Sequence, residues 1–191
     1  MGYSQAQKAE NRERLLENAS RQLRTGGFGS INVASLMRSA GLTHGGFYGH
    51  FDSKDTLLEE ALKRALVDGE ATARSKSAKE HRGASEIVRG YLSKQHRQHP
   101  DEGCAIAALV SDVGRMDDNV RAIMEKHVAS FIEKMETSLD GDRAKAEVAV
   151  SAMVGAIALS RVVTDEEQAD RLLGNVRDFL VSETQTASQE A

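Results

Sequence analysis

At 191 residues the chain can form one large domain or a small head on a larger body, and its 40% hydrophobic content is enough for a core, which excludes a disordered chain. One proline, no tryptophan and many Ala, Leu, Glu, Lys and Arg residues favour helices over sheets, so the expected fold class is all-α. The net charge of −4 is uneven: residues 1–54 hold seven Lys/Arg and four Asp/Glu, whereas residues 55–191 hold eighteen and twenty-five, which makes the start of the chain the end suited to an anionic partner.

In chain order, residues 8–25 place Leu15, Leu16, Ala19 and Leu23 on one face, and Gly26 and Gly27 end that helix. Asn32 then stands where an N-cap is wanted, ahead of a short helix in which Val33, Leu36, Met37 and Ala40 recur at spacings of three and four. Gly41 breaks the pattern where a tight inter-helix turn needs a left-handed residue. A second short helix is expected from Thr43, with that hydroxyl as its cap and with Phe47 and Phe51 pointing back into the core. Its other face presents Thr43, His44, Gly45, Gly46, Tyr48, Gly49 and His50, which suit a groove better than a core.

Ser53 opens a longer helix to about residue 73, with Leu57, Leu58, Ala61, Leu62, Ala65 and Leu66 on one face. Residues 73–85 read as a loop or helix end, Ile87, Val88, Tyr91 and Leu92 form another stripe, and His99 and Pro100 mark a break. From Gly103 a compact apolar helix leads into one with a near-continuous apolar face from Val120 to Leu139, expected at the centre of the core. Two last helices are expected at about 142–162 and 165–184, followed by a disordered tail. The domains are therefore drawn as residues 1–52, 53–185 and a tail at 186–191.

The order of short helix, glycine turn and second short helix is that of a helix-turn-helix reader of DNA. The run GLTHGGFYGHFDSKDTLL, with its turn glycine, Phe-Tyr pair, His-Phe pair and Ser-Lys helix start, resembles the recognition-helix signature of the TetR/AcrR family of bacterial transcriptional regulators. The resemblance implies a homodimer with a three-helix DNA-binding head and a C-terminal domain for effector binding and dimerisation. By matched position, Thr43, Tyr48 and Lys54 would touch phosphates, and His44 and Gly45 would lie nearest the bases. Asn32, Gly46 and His50 complete the expected DNA-binding set. The partners implied are a double-stranded, pseudo-palindromic operator, a second copy of the chain and a small-molecule effector; a helical partner-binding scaffold without operator binding is the alternative.

The effector site is expected around Cys104, Leu109, Val113, Met124, His127, Phe131 and Met153, because flexible methionines with few aromatics suit a pocket for a small apolar or electrophilic molecule. The same stripe also suits a plain core. Gly103-Cys104 before an apolar helix is similar to a motif in TetR-family regulators that respond to N-ethylmaleimide and related electrophiles. His96, Arg97 and His99 lie nearby in sequence, where a cation would favour a thiolate.

Dimerisation is assigned to the last two helices through Ala149, Ala152, Gly155, Ala156, Leu172, Val176 and Phe179, since small residues let a partner helix approach. No nucleophile elbow, phosphate loop or carboxylate pair has catalytic spacing, so no catalytic residue and no enzyme activity is expected. A lone cysteine and the lack of Cys/His ligand spacing leave no expected metal or cofactor. No apolar run is as long as the ~18 residues of a membrane span, and the polar start lacks a signal-peptide core, so the expectation is a cytoplasmic protein without a membrane partner.

Overall fold

The computed structural model describes residues 4–75 and 83–186, and every regular element among them is a helix. Helix α1 (Gln5–Gly26) begins where the Ser4 hydroxyl accepts the Gln7 N–H and ends at Gly27, whose φ of +70° is one that L side chains rarely adopt. A single 3-10 turn (Phe28–Ser30) leads through Ile31 to α2 (Val33–Ser39), which Asn32 caps by accepting the Ser35 N–H at 3.0 Å. Gly41, at φ +72°, turns the chain, and the Leu42 N–H closes the turn onto the Met37 carbonyl at 2.9 Å.

The element that follows differs from the expected α-helix. His44–Gly49 is a 3-10 helix, and Thr43 at its start makes no capping hydrogen bond. Three of its six residues are glycine, the poorest α-helix former after proline, so nothing local favours the i→i−4 ladder. Helix α3 (Lys54–Ser75) follows, with the Ser53 hydroxyl accepting the Thr56 N–H at 3.0 Å.

The body comprises α4 (Ala84–Tyr91), α5 (Lys94–Gln98), α6 (Ala105–Val113), α7 (Asp118–Thr137), α8 (Arg143–Val162) and α9 (Glu166–Thr186). Helix α5 is absent from the sequence reading, because five polar residues capped by Ser93 carry no apolar period. Of the expected loop 73–85, residues 73–75 continue α3 and residues 84–85 begin α4; residues 76–82 lie outside the described residues. Helix α9 runs through Thr186, and the remaining tail, 187–191, also lies outside them.

Two apolar cores hold these elements. The first joins α1, α2, Phe47, Phe51 and α3 to Ile106, Leu109 and Val113 of α6 and to Val120 and Met124 of α7. The second packs α4 against α8 and α9, with Ala107, Met135 and Leu139. Leu15, Leu23, Leu57 and Leu62 are fully buried in the first core, and a buried side chain of this size contributes about 1.5–3 kcal/mol. Helix α7 is not the centre of either. Its ends are buried, but His127, Val128, Phe131 and Ile132 in its middle are only half-buried, because its apolar face is wider than its neighbours cover.

Candidate nucleic-acid interface and effector site

Phe47 and Phe51 are buried and stacked with ring centroids 5.7 Å apart. The Arg12 guanidinium of α1 lies 4.8 Å over the Phe51 ring, donates to the His50 carbonyl at 3.2 Å and pairs with Glu60 of α3. The 3-10 helix is thereby fixed to both long helices of the head. On its outer side Thr43, His44, Gly45, Tyr48, Gly49 and Lys54 are exposed, Tyr48 to 75%. A Cβ added at Gly45 or Gly49 would meet nothing within 4 Å, so no contact inside the protein calls for glycine at either position.

Three expected DNA-facing residues sit differently. Gly46 is half-buried, and its Cβ position faces Met37 and Thr43. His50 is half-buried with its Nδ1 sealed from solvent and without a partner; burial, then Lys8 and Arg12, push its pKa below the ordinary 6.5. The three-residue repeat of a 3-10 helix sets His50 on the inward row of Phe47, so it positions the element. The Asn32 side chain is exposed, but its oxygen is engaged as the α2 cap.

In the body, Cys104 packs against both cores together with Phe131 and Val154, marking the seam between them. The His96 ring holds the chain there. Its Nε2 accepts the Cys104 N–H at 3.0 Å, which leaves the ring proton on Nδ1 to be donated to the Tyr91 carbonyl at 2.7 Å. Tyr91 stands edge-on to His96 with centroids 4.5 Å apart and lies 5.4 Å from Phe131. Its hydroxyl is sealed from solvent, with the Cys104 thiol beside it. Burial first, and the Cys104 thiol second, raise the Tyr91 pKa well above 10, against a smaller opposing effect of Arg161. Arg161 donates from Nη2 to the His96 carbonyl at 2.9 Å and from Nε to the Arg97 carbonyl at 3.2 Å.

These contacts correct the sequence picture of the cysteine. His96 is a neutral hydrogen-bonded bracket, and the buried Arg97 pairs with Glu166 and Asp170 of α9, so neither stands as a free cation beside the thiol. Leu109, Val113, Met124 and Met153 are buried in the two cores. His127 donates to Glu70 of α3 at 3.2 Å, leaving Cys104 and Phe131 as the expected residues at the seam. The sequence placed His96 near Cys104 but in another role, read Tyr91 only as part of an apolar stripe, in which its polar tip was the one available signal, and did not mark Arg161. Among the described residues no group of three or more His, Cys, Asp or Glu is placed to hold a metal ion.

On α8, Val148, Leu159 and Val162 are exposed to 63%, 60% and 78%, and Ala152 and Gly155 lie on the same row at i+4 and i+7 from Val148. Phe179 of the adjacent α9 is 62% exposed beyond the half-buried Leu172 and Val176. Ala149 and Ala156, expected at the dimer interface, are instead buried in the second core. One residue on a helix is a turn of about 100°, which separates the inward Ala149 from the outward Val148.

The profile of the family described as bacterial regulatory proteins, tetR family, matches residues 15–61, the span from α1 through the 3-10 helix into α3. The HTH-type transcriptional repressor DhaR of Mycobacterium sp. (strain GP1) is 24% identical over 192 residues, covering 94% of this chain and 97% of that protein. The reduced form of E. coli NemR superposes with a TM-score of 0.72 at 19% identity, over 90% of this chain and 95% of that one. A TetR transcriptional regulator from Chloroflexus aurantiacus J-10-FL superposes at 0.74 and 17% identity, over 93% and 95%. The helix-turn-helix segment, residues 15–61, thus matches the tetR family of bacterial regulatory proteins, and the fold of TetR-family regulators is shared along nearly the whole length of the chain.

Proposed function

We propose that this regulator is a homodimeric repressor whose two heads occupy successive major-groove faces of a pseudo-palindromic operator, and that a small-molecule or electrophilic inducer bound in the body releases it. The observation that carries the DNA reading is the exposed set of Thr43, His44, Gly45 and Tyr48 on the anchored 3-10 helix and its cap, with Lys54 at the start of α3, in which Gly45 and Gly49 serve no internal packing. Hydroxyls and a lysine suit phosphates, and small residues beside His44 let the backbone approach base edges. The repressor sense is supported by the relative DhaR, which is named a repressor.

The dimer is supported by the apolar row Val148, Ala152, Gly155, Leu159 and Val162 with Phe179 alongside, since two helices from each of two chains make a four-helix interface. Release follows if the inducer favours a dimer state whose heads no longer match the half-site spacing, with α3 carrying the change. Selection from a random duplex pool, then titration of the best site at two salt concentrations, tests the reading. A palindromic site bound with steep salt dependence is expected. Absence of any enriched sequence at low salt would overturn it and favour a helical scaffold that binds another protein.

A further inference from the structure

The recognition element has little of its own to hold its direction. Half of His44–Gly49 is glycine, Thr43 caps it without a hydrogen bond, and a 3-10 run has poorer hydrogen-bond geometry than an α-helix. Phe47 and Phe51 anchor it by apolar burial, which is strong but not directional. Direction comes from Arg12 of α1. Its guanidinium makes three contacts with three different parts: Nε donates to the His50 carbonyl at 3.2 Å, Nη2 reaches both oxygens of the Glu60 carboxylate, and Cζ lies 4.8 Å from the centroid of the Phe51 ring. Helix α1, the end of the recognition element and α3 therefore meet on one side chain.

We infer that Arg12 is a positioning residue for base reading: it sets the angle at which His44–Gly49 meets the groove, and Glu60 holds it in that place. This rests on the proposed DNA-binding regulator and adds to it a determinant of sequence preference outside the exposed reading face. The bond to a backbone carbonyl gives Arg12 this reach. His50 caps the 3-10 helix, its N–H bonded to the Phe47 carbonyl at 2.8 Å, so a shift of the His50 carbonyl carries the helix backbone with it. His44, Gly45 and Tyr48 ride on that backbone with their exposed faces outward. Base edges demand close placement, whereas phosphate attraction is long-ranged and tolerates a small tilt. A lysine at position 12 would keep the charge but bring one ammonium in place of a fork, so it could not serve His50, Glu60 and the Phe51 ring together.

The test measures the affinity of the full-length protein for the duplex enriched by selection and for a scrambled duplex of the same composition, at two salt concentrations. Arg12→Lys is expected to lower the ratio of the two affinities roughly tenfold, the value of about one base contact, while affinity for the scrambled duplex stays within about twofold and its salt slope is unchanged. Loss of the fold would instead weaken both duplexes in parallel. Glu60→Gln is isosteric and keeps the assignment open to refutation if Arg12→Lys does not fold. It is expected to lower the ratio roughly threefold, the value of about one neutral hydrogen bond. Removal of a negative charge by itself would strengthen binding to both duplexes. A ratio unchanged in either folded variant would overturn the assignment; if affinity for both duplexes then also rises in Glu60→Gln, Arg12 is a phosphate contact instead. Failure of the wild type to prefer any duplex would sink the DNA reading as a whole, whereas a wild-type preference that both variants retain refutes only the role of Arg12.

Discussion

Replacing Gly103 by alanine tests the bracket at Cys104 directly. An added methyl would stand 2.7 Å from His96 Cδ2, 2.9 Å from Nε2 and 3.3 Å from the His99 carbonyl. A flexible side chain could move aside, but this imidazole is bonded at both nitrogens and lies edge-on to Tyr91. Two neutral hydrogen bonds are worth about 1 kcal/mol each and overpacking costs about 1–3 kcal/mol, while alanine's stiffer unfolded chain returns about 0.4–1 kcal/mol. The net expectation is a loss of roughly 2–4.5 kcal/mol, read as a lower urea midpoint with an unchanged slope at fixed protein concentration. In a His96→Ala background the methyl has no ring to strike, and the same change is expected to cost less than about 0.5 kcal/mol. A wild-type loss below that value, or an equal loss in both backgrounds, would refute the claim that the ring holds the Gly103-Cys104 turn.

Three further outcomes follow from the geometry. Tyr48→Phe and Lys54→Ala are expected to weaken binding to every duplex, Lys54→Ala reducing the salt slope by about 1, whereas His44→Ala changes which sequence is preferred. Equal loss on all sequences for His44→Ala would remove it from base reading. Burial works to raise the Glu70 carboxyl, but the hydrogen bonds from Lys134 and His127 outweigh it and hold the group below 4.5. A carboxylate depressed in the folded state adds stability above its unfolded pKa and loses it as pH falls through the folded value. Glu70→Gln is therefore expected to lower stability near neutral pH and to converge with the wild type in acid, and parallel pH profiles would contradict this. Leu159→Glu is expected to give a folded protein that sediments as a monomer, and an unchanged sedimentation coefficient would remove the α8 row from the interface.

The head was legible because its signals are local. The three-and-four spacing of Leu36, Met37 and Ala40, the positive φ demanded at Gly41 and the Asn32 cap are each decided within a few residues. The 3-10 form of His44–Gly49 was not legible, since over six residues the two helix periods drift apart by only about one position. That small difference turned His50 inward. On α8 the richness in small residues was visible, but only the neighbours of the helix decide that Ala149 and Ala156 face α9 and the core while Val148 and Leu159 face out. Around Cys104, sequence adjacency suggested three cations near a thiol. Tertiary partners far along the chain, Glu166 and Asp170, take Arg97 away, and a hydrogen-bond pattern that spacing cannot express makes His96 a bracket.

The seam at Cys104 is also in direct contact with the helices that carry the head. A Cβ at Gly69 of α3 would lie 3.0 Å from the Gly103 carbonyl oxygen and 3.4 Å from the Cys104 Cα, so α3 rests its backbone on the turn that His96 holds. At the other end of α6, the Asp112 carboxylate stands where a side chain at Gly27 would be, against the end of α1. The buried Arg24 of α1 donates to the Ala65 carbonyl of α3 at 3.0 Å, tying these two helices together. Helix α6 and the turn before it therefore meet the head at both ends, through backbone and through one carboxylate, with Ile106, Leu109 and Val113 packed in the core between. A displacement of this turn would act on a contact in which α3 has little slack. Gly69→Ala, whose methyl would press on the Gly103 carbonyl, strains that contact without any effector and is expected to weaken operator binding; an unchanged operator affinity would show that the contact carries nothing to the head.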